Sequence, residues 1–484
     1  MDKEKYGDIP AEKFRFINRD DVILDKPPAT KPQGNFRRIF SRFMKFTPAV
    51  VSVIILLIIG LYSIVVPMIC PDGVSEHDLA YAYALPKLGD LDLGFWNGCT
   101  DRTLNIQRYD LYSSIPGAVR KVYYSTLESY PDGDKPTYRV SVDSYAAVGF
   151  KLLSVDKDEY ERIKAYESSS GKQVLYPLRD TDKVKCQAYG ANENAWFLTD
   201  EKGIALRGPD GQLQNIYLTD PTSPDGYMYA QSRQNGSHYT IRVLYREYYN
   251  FEHGKYASFL FGADEFGYDI FVRLASGGRV SLSLSVGAAL INLILGIIIG
   301  AIEGYYGGAV DLLIERFKDI VFSVPSVIFI TLFQLYIGAS LGALPAMFIC
   351  FIFFGWAPVS STVRAQFYRF KGREYVLASR TLGASDRRLI FKHILPNASG
   401  FIITSVVLGI PGIIFGEATY TYLGIVNLNS KDMTSIGTML ENGQSTLSSY
   451  PHCVLFPALL LSVMLICMNN FGNGLRDAVD PVSK

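Results

Sequence analysis

The sequence predicts a multi-pass α-helical membrane protein, with six transmembrane helices and a mixed α/β domain inserted between helices 1 and 2. Three observations lead there. Apolar residues make up 48% of the chain and charged ones 19%, and the apolar ones are gathered into blocks. Several blocks approach the length of about 20 residues that crosses a bilayer core. Between the first and second blocks lies a long stretch of short alternating runs separated by turn dipeptides, the pattern of strands and hairpins. The boundaries follow: a tail over 1–46, a first transmembrane helix over 47–69, an inserted domain over 70–261, and a core of five further helices over 262–484.

The first span, Thr47 to Ile69, follows Arg37, Arg38, Arg42 and Lys45. It lacks a small-residue cleavage site and begins after a long charged tail, so it reads as a retained anchor rather than a signal peptide. The later spans run from about Val280 to Ile302, Ile320 to Ile337, Leu344 to Val363, Gly400 to Phe415 and Cys453 to Asn469. Short basic loops mark the cytoplasmic side. The approach to the first span and the loop from Arg364 to Lys392 are basic, Gly338 to Ala343 is uncharged, and Glu417 to Tyr450 has only Lys431 as a cation. Both termini are therefore expected in the cytoplasm and the inserted domain outside. Gly287, Gly296, Gly300 and Ala301 give the second span small residues at helical spacing, which permits close helix contact.

In the inserted domain, Asp132-Gly133, Lys202-Gly203 and Asp210-Gly211 separate runs such as Tyr138 to Val142 and Ile216 to Leu218, while Asp156 to Ala165 suits a helix. Tyr123, Tyr124, Tyr245, Tyr248 and Tyr249 form either a binding face or half-buried strand positions. Cys99 and Cys186 share this domain, where a disulfide between them is chemically permitted. Cys350, Cys453 and Cys467 fall in or at membrane spans and read as small apolar residues. No spacing of histidine and cysteine suggests a metal site.

The stretch from Arg364 to Asn397 is the most informative. Arg364, Arg369, Lys371, Arg373, Arg380, Arg387, Arg388 and Lys392 outnumber Glu374 and Asp386. A helix can start near Gly372 or Arg373 and stop at Gly383, because glycine takes the left-handed conformation that ends helices. Ser385 can cap a second helix, and Pro396 can end it. Arg387, Arg388 and Lys392 read as membrane-surface anchors rather than specific contacts.

This segment, 364–397, resembles the cytoplasmic coupling loop of membrane subunits of ABC importers. Ala378 stands at the second position of that loop's Glu-Ala-Ala, Gly383 at its glycine and Leu395-Pro396 at its closing pair; Leu377, Ser379 and His393 stand where Glu, Ala and Ile are usual. Further segments are similar to the C-type permease of the oligopeptide, dipeptide and nickel branch. These are Thr30-Lys31-Pro32, the run from Gly262 to Asp269 with Arg273-Leu274, Gly304-Tyr305-Tyr306-Gly307-Gly308, Glu417-Ala418 with Tyr422-Leu423-Gly424, Gly437 to Leu440, and the tail from Asn470 to Pro481. The resemblance leaves the inserted domain uncovered.

It implies a type I importer fold in a bacterial plasma membrane and a non-enzymatic permease forming half of a translocation path. The implied partners are a homologous second permease, two ATP-binding subunits, an extracytoplasmic substrate-binding lipoprotein and membrane lipid, with no nucleic acid. Ala378, Ser379, Leu382, Gly383, Ala384, Ser385 and Asp386 would couple to the ATPases. No Gly-x-x-x-x-Gly-Lys-Ser/Thr loop is present, so no cofactor is expected in this chain and ATP with Mg would be held by the partners. Oligopeptides or dipeptides are the expected substrates, with nickel or oligosaccharides as alternatives and a membrane-anchored receptor or sensor as a reading of another class. Glu417, a carboxylate at the end of a span, is either a pathway or gating residue or an interfacial one at the outer surface. Glu303 reads as a residue of the cytoplasmic boundary.

Overall fold

A computed structural model describes residues 35–70, 77–89, 94–128, 135–233, 236–430 and 433–479. Thr30 to Pro32, Asp132-Gly133, Lys431 and Asp480-Pro481 lie outside the described residues. Among the described residues five helices are long and apolar enough to cross a membrane, six if a bent helix pair counts as one span.

A short helix, α1 (Asn35–Phe43), leads into the first span, α2 (Thr47–Ile69). Pro48 sits in the first turn of α2, where a missing N–H costs nothing. The inserted region then builds two antiparallel sheets. The first has the order β1 (Cys99–Asn105), β3 (Lys135–Asp143), β2 (Val119–Glu128), with α3 (Ile106–Ser113) following β1. The second is organised on β7 (His238–Leu244): β4 (Phe150–Asp156) pairs along one side, and β5 (Leu175–Tyr176) and β6 (Ala230–Arg233) pair along it as well. Asp156 caps α4 (Lys157–Ser170) by accepting from the Glu159 N–H at 2.7 Å, and Gly171 ends it in the left-handed region. That helix runs beyond the expected Ala165. Turns at Lys202-Gly203 and Asp210-Gly211 close isolated bridge pairs, Thr199 with Ala205 and Arg207 with Leu213. Ile216 to Leu218 likewise makes only a bridge, Arg179 with Tyr217, rather than a full strand.

The five tyrosines do not share a face. Tyr123 and Tyr124 are exposed on β2, whereas Tyr248 is buried and Tyr245 and Tyr249, on α5 (Tyr245–His253), pack against buried tyrosines and alanines. Nor does the structure pair Cys99 with Cys186: both thiols are free. The first leans on the Asn97 carbonyl at the start of β1, and the second is buried beside Gly203 and Tyr189.

The chain returns to the bundle at Gly262, whose φ of +81° suits only glycine and whose position leaves no room for a Cβ against the Ala84 carbonyl and His452. Asp269 then caps α6 (Ile270–Tyr306), accepting from the Phe271 N–H at 2.8 Å. Burial is the main reason its carboxyl is raised to about 6. This span is longer at both ends than Val280 to Ile302. Gly296, Gly300 and Gly304 face Val359, Ser360, Val363 and Phe367 of α9 (Ala343–Lys371), so a side chain at any of the three would strike α9.

The third span is broken rather than continuous over Ile320 to Ile337. It consists of α7 (Gly308–Ser323) and α8 (Ser326–Leu341), bent by 75°. Pro325 lies in the break, and proline cannot continue a helix ladder. After α9 comes α10 (Glu374–Thr381), then α11 (Asp386–Tyr422), α12 (Ile436–Gln444) and α13 (His452–Val479). Pro396 does not end a helix. The turns at Leu389–Ile394 widen to π geometry, with the Leu395 N–H reaching the Ile390 carbonyl, and the helix passes through the proline into the fifth span.

Candidate functional site

The segment from Arg373 to Ile394 is a platform packed on the C-terminal ends of α6 and α9, at the end of the bundle away from the inserted domain. Its turn is set by Gly383 at φ +82°. The Ala384 N–H reaches the Ser379 carbonyl at 3.1 Å and the Gly383 N–H reaches Arg380 at 3.0 Å, the paired bonds that close a helix through a left-handed glycine. Ser385 takes the N-cap conformation of α11, but its hydroxyl makes no capping bond. Val376, Leu389 and Ile394 are fully buried against Val363, Phe367 and Ala398, which fixes the platform to α9 and α11. Asp386, in the first turn of α11, accepts from the Tyr305 hydroxyl at 2.5 Å, and Arg380 donates to the same hydroxyl at 3.2 Å.

The platform presents an apolar crest among exposed polar and charged residues. Leu382 is 89% exposed at its crest and Leu377 and Tyr375 are exposed beside it. Ala378, Gly383 and Ser385 are also exposed, Ser379 and Ala384 partly buried. Arg387 and Arg388 are exposed as well. An 89% exposed leucine on a fixed turn is a knob that a groove in another protein can seat.

Glu417 is fully buried within the helix bundle. Ser281 on α6 donates to its Oε2 at 2.7 Å, and the hydroxyls of Thr421 and Ser435 lie beside it. Ser435 caps α12, accepting from the Thr438 N–H at 3.2 Å. The carboxylate thus stands at the N-terminus of α12, where a helix favours negative charge. Gly437 presses so closely on Ala418 and Thr421 that a Cβ would collide with both. Glu417 fastens α12 to α6, and it does not line the cavity between the broken span, α9 and α11.

Glu303 is likewise fully buried, three residues before the end of α6. Lys318 on α7 pairs with it at 2.8 Å, and Ser360 on α9 donates to it at 2.8 Å. Lys318 also reaches Glu315 at 3.0 Å and Ser361 at 3.2 Å. Nearby, Arg364 holds Asp311 in a two-pronged pair, and Tyr368 donates to the same carboxylate at 2.8 Å. Sequence reasoning missed Lys318, although a lysine within an apolar stretch is a signal that it has a buried partner.

Between the halves of the broken span, α9 and α11 lies a cavity of about 560 Å³. Asn292, Pro325, Ser326, Phe351, Pro358 and Tyr420 line it, and none of its lining residues carries a formal charge. Pro358 inside α9 and the break at Pro325 both leave backbone carbonyls without helical partners near this space.

Residues 292–482 match the family described as "Binding-protein-dependent transport system inner membrane component". Among curated relatives, the chain is 40% identical over 221 residues to the oligopeptide transport system permease protein OppC of Bacillus subtilis, covering 46% of this chain and 71% of the relative. It is 38% identical over 224 residues to the dipeptide transport system permease protein DppC of Lactococcus lactis, covering 46% and 64%. To the OppC of Haemophilus influenzae it is 37% identical over 224 residues, covering 46% and 70%. The matched region therefore spans about two thirds of each relative's length and less than half of this chain.

Proposed function

This chain belongs to the binding-protein-dependent inner membrane components, in the oligopeptide and dipeptide permease branch of ABC importers, and from that membership we propose that it forms half of a peptide translocation path driven by ATPases on partner subunits. It is a multi-pass membrane protein. A homologous permease supplies the other half of the path, and an extracytoplasmic binding lipoprotein delivers substrate to the end that carries the inserted domain. ATP and Mg stay on two partner subunits, which dock on the platform around Gly383 from the cytoplasm. Both termini share that side.

The observation that carries this reading is the union of an exposed apolar crest at Leu382 with a buried base at Val376, Leu389 and Ile394. A docking knob transmits force only if it cannot rock independently, and here both flanking helices are held in the core. The uncharged lining of the intramembrane cavity supports a peptide backbone rather than a bare divalent cation as cargo, since hard cations demand oxygen-rich, anionic ligands. Alternating access requires two bundle arrangements separated by a few kcal/mol, so that ligand and ATP binding each shift the balance.

Deleting the chain's gene and measuring uptake of labelled di- and tripeptides tests the proposal. Loss of peptide uptake, restored by the intact chain, is expected. Undiminished peptide uptake with loss of nickel or oligosaccharide uptake would replace the substrate class.

A further inference from the structure

Three consecutive residues at the C-terminal end of α6 each hold a different element. Glu303 is ion-paired to Lys318 of α7. The Gly304 carbonyl accepts from Lys371 Nζ, at the end of α9, at 2.9 Å, and an added Cβ at Gly304 would lie 2.5 Å from that of Phe367. The Tyr305 hydroxyl spans the docking turn, bonded to Arg380 on the helix before Gly383 and Asp386 on the helix after it. The Tyr305 ring is buried in the same cluster as Val363, Phe367, Val376 and Leu389.

We infer that this junction is the mechanical link of the permease, in which Tyr305 acts as a positioning residue that carries displacement of the docking turn, through the end of α6 and the Glu303–Lys318 pair, to the broken third span. The inference rests on the proposed docking of ATPases at the turn. The path is continuous. Leu382 stands on a turn clamped on both sides by one hydroxyl, that hydroxyl is two residues from Glu303, and Lys318 lies one to two helical turns before Phe322, Val324 and Pro325, which line the intramembrane cavity. Energetic coupling over such distances requires packed, hydrogen-bonded elements with two discrete arrangements, and the 75° break at Pro325 is the element able to take a second one.

Tyr305→Phe removes one oxygen and keeps the buried ring, so it separates linkage from packing. The test uses the assembled complex of this chain with its second permease and ATPases, carrying nitroxide labels at the exposed Leu313 of α7 and Phe401 of α11, with the exposed Cys70 replaced by serine. ATP hydrolysis and the change in label distance on trapping the ATP-bound state are both read. In the parent complex the distance shifts. In Tyr305→Phe, hydrolysis stays within about twofold while the population showing the shift falls about threefold to tenfold, the range that coupling energies of this kind produce. A full shift in Tyr305→Phe, or hydrolysis and shift declining together, overturns the inference. Failure of the ATPases to join the parent complex overturns the proposed function as well.

Discussion

The helix bundle buries Glu303 and Glu417 completely, one toward each end, and surrounds them in opposite ways. Glu303 is met by an ammonium, Lys318, which is itself shared with Glu315 and Ser361. Glu417 is met by hydroxyls and the start of a short helix. The first end is tied by charge across three helices, and the second by close glycine contacts with one carboxylate as a fastening. A buried ion pair is costly to break from one side and tolerates joint replacement, whereas a hydroxyl contact is replaceable at modest cost.

Breaking the pair from one side gives the largest effect. Lys318→Met strands Glu303 and lowers stability by about 3–5 kcal/mol, read as the thermal midpoint in mild detergent. Adding Glu303→Met recovers most of the loss, because an apolar pair of similar volume restores the packing without a buried charge. Equal midpoints for the single and double variants would show that the charge pair is not what ties that end.

At the other end the effect is smaller. Glu417→Gln keeps the shape and lowers stability by about 1 kcal/mol. It slows substrate uptake at matched expression because the hydroxyl contacts that fasten α12 to α6 are weakened. Unchanged uptake would leave Glu417 as packing alone. If Glu417→Gln proved as damaging as Lys318→Met, the contrast between the two ends would collapse.

The smallest effect is a pH dependence. Asp269 has a folded pKa of about 6 against an ordinary value of 3.8, raised chiefly by burial. The folded state therefore holds the proton more tightly, so stability rises as pH falls from about 7 through 6 and levels off below the unfolded value. Asp269→Asn removes this component, and the thermal midpoint loses a rise on the order of 1–3 °C over that interval. An identical pH profile in Asp269→Asn would show that other groups set it.

Much of this was legible in the sequence for physical reasons. Apolar blocks and the basic loop depend on local composition, and Gly383 announces its turn because left-handed backbone excludes most other residues. What escaped was decided at a distance. The partner of Glu303 is invisible near it in sequence, because α7 must fold back to bring Lys318 to it. Pro396 reads as a stop until the π turns at Leu389–Ile394 absorb the missing N–H. Pro325 lay within a stretch whose hydropathy alone suggested one straight span. The pairing of Cys99 with Cys186, and a shared face for Tyr123, Tyr124, Tyr245, Tyr248 and Tyr249, needed sheet topology that neither spacing nor composition contains.

The central claim is that the turn at Gly383 is where ATP-hydrolysing subunits dock. Gly383→Arg forces a side chain into a backbone conformation costing about 1–2 kcal/mol for other residues, and is expected to leave the protein in the membrane while uncoupling uptake from hydrolysis. The most direct measurement is cross-linking. A cysteine replacing Leu382, modified with a reagent that joins its thiol to a photoreactive benzophenone and irradiated in native membranes, is predicted to join this chain to the ATP-hydrolysing subunit, in a yield that changes when ATP is bound. An intact complex whose Leu382→Cys variant gives no such adduct, with or without ATP, would contradict the account.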